Sequence, residues 1–234
     1  MTSNPRLAAA DLPSMSSRSS ALVTFALREE ARPFRRLLGP HTDVQILETG
    51  VGQENARMAL QSALASRRPC WVITSGYAGG LNPSLARGTI VFDADEGLPL
   101  VASLHAKGAV CARFHCADRI AATASEKRRL WETTRADAVE MESQVIRILC
   151  RERGIASATV RVISDAADED LPLDFNRLLT PEHRVDYARL AGMLWRAPGK
   201  LGALIRFQTR VQAAASQLAQ ALVVLMAEGS AVPR

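Results

Sequence analysis

Several stretches of this chain are apolar almost without a break: ALVTFAL (21–27), the start of CWVITSGYAGG (70–80), and SATVRVISD (157–165). A strand with one wet face alternates polar and apolar residues, whereas a continuous apolar run implies cover on both faces. VQILETG (44–50) and RGTIVFD (87–93) read as further strands. Between them, EEARPFRRLLG (29–39), ENARMALQSALAS (54–66), SEKRRLWETT (125–134) and ESQVIRILCRERG (142–154) carry helical patterns. This alternation predicts an α/β fold: a single-domain mixed, mostly parallel sheet flanked by helices. Beyond residue 165 the chain turns mainly helical, to about residue 228. VQAAASQLAQALVVLMA (211–227) is interrupted by Gln212, Ser216, Gln217 and Gln220 and falls short of the roughly 20 apolar residues of a membrane span. It is predicted to be a packed helix of that C-terminal region. With no repeat and no long linker, residues 21–230 are expected to form one domain. The Ser-rich residues 1–20 lack an apolar signal core and read as a disordered tail.

Net charge is +5, which invites a nucleic-acid reading, but aromatics are only 5% and no zinc-finger or RNP pattern is present. No nucleic-acid partner is expected. Part of the charge is regional: Arg184, Arg189, Arg196, Lys200, Arg206 and Arg210 face a single Asp186. A solvated helix face is the plain reading, and association with a membrane surface or anionic ligand is the alternative. Cys70, Cys111, Cys116 and Cys150 show no CxxC spacing, consistent with reduced thiols in a cytoplasmic protein. His105 and His115 are ten apart and no cluster has metal-ligand spacing, so neither metal nor cofactor is expected.

Ligands of open α/β sheets collect at the carboxyl ends of strands. ALREE, TGVGQENA, TSGYAGGLNP and SDAAD all fall there. Gly50 and Gly52, then Gly76, Gly79 and Gly80, suit tight turns or loops whose N–H groups hold an anion or a ribose oxygen. No dinucleotide fingerprint is completed, because Asn55 stands after Gly52. Asp165, beside Ser164, ends a strand; it reads equally as a general acid or as a helix N-cap. DAVEMESQ (137–144) places Glu140 and Glu142 two apart. Within a helix they would point to different faces, so one is expected to be surface charge. At a strand-to-helix junction the other could accept hydrogen bonds from a vicinal diol, with Met141 as an apolar surface for the sugar.

Taken in order, GVGQENA, SGYAGGLNPSLARGTIV, AVEMES and VRVISDAAD resemble the nucleoside phosphorylase superfamily, with the methylthioadenosine/S-adenosylhomocysteine nucleosidases as the nearest well-known branch. The resemblance runs from about residue 21 to 170. It implies a small-molecule purine nucleoside as substrate and a homodimer as the assembly. It also implies that Glu142 binds the ribose hydroxyls, that Met141 packs on the ribose, and that Glu140 is at most a secondary contact. Asp165, assisted by Ser164, would protonate purine N7, and Glu30 would position the attacking water. Leu27, Val51, Ala78 and Gly79 match positions lining the pocket.

The chain also departs from that branch. The stretch between residue 93 and AVEMES is short, Tyr77 stands where small polar residues are common, and the aromatic that stacks on the base is replaced around Arg119 and Ile120, with Phe114 nearby. The shortened middle and the basic LWRAPGKLGALIRF segment resemble hopanoid-associated phosphorylase-like proteins, thought to release adenine from an adenosyl-lipid. Trp195, Leu201, Leu204 and Ile205 would suit such a substrate at a membrane surface; an amphipathic helix packed on the sheet is the plainer reading. Hydrolysis is expected over phosphorolysis. GVGQENA has no arginine before Arg57 and Glu30 would repel phosphate, although Arg28 and Arg113 are cations that could reach in.

Overall fold

A computed structural model describes residues 21–39, 43–178, 180 and 199–229. The expected tail 1–20, Trp195 and the basic residues at 184, 189 and 196 lie outside the described residues. The strands are β1 (Ala21–Phe25), β2 (Val44–Glu48), β3 (Trp71–Gly80), β4 (Ile90–Ala94), β5 (Val110–Cys111), β6 (Phe114–Cys116), β7 (Ala138–Glu140) and β8 (Ala156–Asp165). The helices are α1 (Arg28–Leu38), α2 (Gln53–Ser66), α3 (Leu100–Ala106), α4 (Ala124–Thr134), α5 (Ser143–Glu152) and α6 (Lys200–Gly229), with a 3₁₀ turn at Phe175–Leu178.

All eight strands share one mixed sheet, whose main path runs β2-β1-β3-β8-β4-β5. The β2-β1-β3-β8 core is parallel, and β4 is antiparallel to β8. β7 adds antiparallel to the last two residues of β3, and β6 pairs parallel with β7.

Both faces of the sheet are covered, as the continuous apolar runs require. Ala21, Val23 and Phe25 of β1 point to one side with Ile73 and Val160, where α1, α3 and α6 supply Phe34, Leu104 and Leu222. Leu22 and Val72 point to the other, against Leu60 of α2 and Ile146 and Leu149 of α5. In α6, Ala214, Leu218, Leu222 and Leu225 recur at helical spacing and are buried, so 211–227 is the packed helix that its pattern predicts. No helix among the described residues is long and apolar enough to cross a membrane. All four cysteines are free.

One local expectation is corrected, and four short elements went unpredicted. Gly76, Gly79 and Gly80 are not in a loop: β3 runs through them, because β8 and then β7 supply backbone partners to its end. β5, β6 and β7 were hidden from the period rules, since strands of two or three residues are too short to show alternation, and α3, with 7 residues, is too short to show a helical face. β7 matters most, because it brings the AVE of AVEMES alongside the end of β3.

Candidate active site

The carboxyl ends of β1, β3 and β8, with β7 laid across them, surround a cavity of about 360 Å³. Leu27 and Glu30 follow β1, Val51 follows β2, and Tyr77, Ala78 and Gly79 close β3. Met141 and Glu142 follow β7, and Ser164 and Asp165 end β8. All ten residues singled out by the sequence line this one space.

Glu30 sits in the first turn of α1 and is buried. Its Oε2 accepts from Leu27 N–H and its Oε1 from Tyr77 N–H, each at 2.9 Å. The carboxyl is thus pinned between its own helix start and β3. Burial raises its pKa above the ordinary value, against the opposing charge of Arg161. Gly76 makes room for it. A Cβ there would lie 2.7 Å from both Glu30 Oε1 and Arg161 Nη1, on backbone with φ +138°.

Glu140 and Glu142 are each only 5% exposed, so neither is surface charge. Glu140 ends β7 and caps α5: its Oε2 accepts from Glu142 N–H at 3.0 Å and Ser143 N–H at 2.7 Å, and its Oε1 from Ser143 Oγ at 2.7 Å. A carboxylate suits that position because a helix N-terminus has unpaired N–H groups and positive partial charge. Glu142 Oε1 accepts from Gly52 N–H at 2.8 Å. The glycine loop therefore spends that N–H on an internal carboxylate rather than keeping it for a ligand. Burial raises the pKa of Glu142 to about 7, partly offset by Arg161 and reinforced by Glu140.

Arg161 is the residue that sequence reading missed. It lies mid-strand in β8, is 1% exposed, and donates from Nη2 to Glu140 Oε2 at 2.6 Å and from Nη1 to Ser75 O at 2.8 Å. Its signal was an arginine inside an otherwise apolar strand, where a charge must be paired. Arg28, one of two cations considered as reaching in, is exposed on α1; neither it nor Arg113 lines the cavity.

Asp165 does not cap a helix; β8 ends on it and a turn follows. Ser164 Oγ donates to its Oδ1, and Lys127 pairs with its Oδ2. Arg119 and Ile120 line the cavity, as does Ala121. Phe114 does not; it packs instead near Ala78 and Leu85 in a separate cluster. Besides Tyr77, the cavity has two aromatics from the C-terminal half, Phe175 and Phe207, with ring centroids 5.7 Å apart. Leu171, Leu178, Leu204 and Val211 continue that apolar wall.

The model of the Phosphorylase superfamily matches residues 100–191. Over that stretch the chain is similar to the phosphorylase superfamily. A 5′-methylthioadenosine/S-adenosylhomocysteine nucleosidase of Glaesserella parasuis is 27% identical over 172 residues, covering 59% of this chain and 75% of that protein. The fold is also that of a futalosine hydrolase mutant of Helicobacter pylori, with TM-score 0.66 and 17% identity over 90% of this chain and 100% of that one. A Campylobacter jejuni 5′-methylthioadenosine/S-adenosylhomocysteine nucleosidase superposes with TM-score 0.66 at 15% identity, covering 89% of this chain and 98% of that one. The stretch matched by the family model includes Arg119, Glu140, Glu142, Arg161, Ser164 and Asp165 of the cavity lining.

Proposed function

We propose that this protein is an enzyme that hydrolyses the N-glycosidic bond of a purine ribonucleoside, with adenine as the leaving base. The observation that carries the reading is the charge of the cavity. Three buried carboxylates, Glu30, Glu140 and Glu142, share one buried guanidinium, Arg161, whose Nη2 is committed to Glu140. Such a site repels a phosphate dianion and suits a neutral nucleophile. The names nucleosidase and hydrolase carried by the relatives agree with water as the acceptor.

In this reading Asp165 gives its proton to the base nitrogen N7, and the C1′–N9 electron pair departs with the base. Positive charge then develops on the ribose ring. Glu142, with acceptor capacity left after Gly52, holds the 2′- and 3′-hydroxyls while Met141 packs on the sugar. Water on the opposite side attacks C1′ and passes its proton to Glu30. Burial that raises a carboxyl pKa makes its anion the better base. General-acid help of this kind contributes about 10²–10⁴-fold, with positioning and electrostatics supplying the rest.

A second reading concerns the 5′ substituent and is favoured by the apolar wall of Phe175, Leu178, Leu204 and Phe207. It would accept a large apolar group, as in release of adenine from an adenosyl-lipid. Leu201 and Ile205, 48% and 55% exposed on the same helix, fit a substrate met at a membrane surface.

The test is incubation with purine nucleosides bearing hydroxyl, methylthio and long alkylthio 5′ groups, with and without phosphate, followed by chromatography. Free base and free sugar without phosphate are expected. Sugar 1-phosphate formed only with phosphate would replace hydrolysis by phosphorolysis.

A further inference from the structure

Lys127 has no part in the mechanism above, yet its side chain is fully buried. The Thr123–Glu126 capping box anchors the start of α4 directly before it, which fixes where the side chain leaves the helix. Its ammonium pairs with Asp165 Oδ2 and donates to the carbonyl oxygens of Ala166 and Glu169, each at 2.8 Å. An ammonium has three N–H donors, and all three are committed here.

This arrangement treats the two oxygens of Asp165 differently. Oδ2 accepts from Lys127, while Oδ1 faces Ser164 Oγ. Ser164 Oγ also lies 3.3 Å from Ala78 O, so its hydrogen can turn there when Oδ1 itself bears a proton. A protonated Asp165 beside Lys127 carries one net positive charge. Once the Oδ1–H bond breaks and the base gains the proton, the pair is neutral. A buried carboxylate without such a partner would be costly.

Resting on the general-acid reading of Asp165, we infer that Lys127 is a positioning residue of the proton-donating step. It directs the proton to Oδ1 and neutralises the carboxylate left after transfer.

The test uses the full chain with Lys127→Met, and Asp165→Asn in parallel as the control for the underlying reading. The expected result is a kcat on the best purine nucleoside at least about tenfold lower, with KM within about threefold, since the loss falls on proton transfer rather than binding. A kcat within about threefold of the unsubstituted protein, or a KM that rises as much as kcat falls, overturns the inference. If Asp165→Asn keeps more than about a tenth of kcat, the general-acid reading itself fails. Should Lys127→Met not fold, Lys127→Gln, whose amide keeps donors for the carbonyls, carries the same measurements.

Discussion

Glu140 and Glu142, two residues apart, are held by the same nitrogen of one arginine: Arg161 Nη2 lies 2.6 Å from the first and 3.4 Å from the second. The difference separates their roles. Glu140 is saturated by the arginine, two backbone N–H groups and a serine hydroxyl. Glu142 has one firm partner, Gly52, and an oxygen only loosely held. The carboxylate with spare acceptor capacity is the one proposed to read a diol.

The first expected outcome follows from the pKa of Glu142, raised to about 7 from an ordinary 4.5. The diol is best held by the ionised form, so KM for a ribonucleoside should fall as pH rises through about 7 and then level off. Stability runs the other way. A raised carboxyl pKa contributes stability that is full below about 4.5 and is lost as pH rises through about 7. Glu142→Gln should remove both dependences and should weaken a ribonucleoside more than its 2′-deoxy counterpart. KM–pH curves and urea midpoints on both sides of this window test it; equal losses for the two sugars would remove Glu142 from diol binding.

Glu140→Ala should destabilise the fold by about 3–5 kcal/mol, because it strips the main partner from a buried arginine. It should also raise KM, since Arg161 would then turn toward Glu142 and occupy the acceptor meant for the sugar. Urea denaturation and KM measured on the same preparation check this. A variant of unchanged stability would mean that Arg161 does not depend on Glu140.

A third outcome concerns Gly76. Adding a methyl at φ +138°, 2.7 Å from Arg161 Nη1 and Glu30 Oε1, forces backbone or both side chains to shift. Gly76→Ala should cost about 1–3 kcal/mol from backbone strain alone. It should lower kcat as well, by disturbing Glu30. Gly97→Ala, also at positive φ (+81°) but with no heavy atom within 4 Å, is the control for strain without a site. Equal kcat for the two variants would remove the argument from close approach.

Much of this site was legible before the fold was seen, because acids and glycines at strand ends stand out against apolar runs. ALREE and VRVISD each presented a carboxylate where a buried strand stopped, while AVEMES presented two acids just ahead of a helix. What stayed hidden depended on distance across the fold. Nothing local marks Lys127 as Asp165's partner, since α4 reads as an ordinary polar helix and the contact joins residues 38 positions apart. Arg161 was visible as an oddity, but its partners come from other strands. Phe175 and Phe207 enter the cavity from a region whose plainer reading was a helix packed on the sheet. The glycines of β3 misled in the other direction: glycine usually marks a turn, yet here it clears space for Glu30 and Arg161.

The last prediction tests the base that activates water. Glu30 accepts one N–H on each oxygen, from Leu27 and Tyr77. Glu30→Gln leaves one of those N–H groups facing an amide donor, at a stability cost of about 1–3 kcal/mol for a buried unsatisfied group. Relief from burying a charge offsets part of that, since the native carboxyl already has a raised pKa. The variant should therefore fold, with a somewhat lower melting temperature. Its kcat for base release in phosphate-free buffer should drop by about 10²–10⁴-fold, because an amide cannot take the proton of the attacking water. KM should change little if the residue contacts water rather than sugar. A folded variant that keeps kcat within about threefold would remove Glu30 from the reaction and leave the attacking water to another group, while the proton donation assigned to Asp165 would stand.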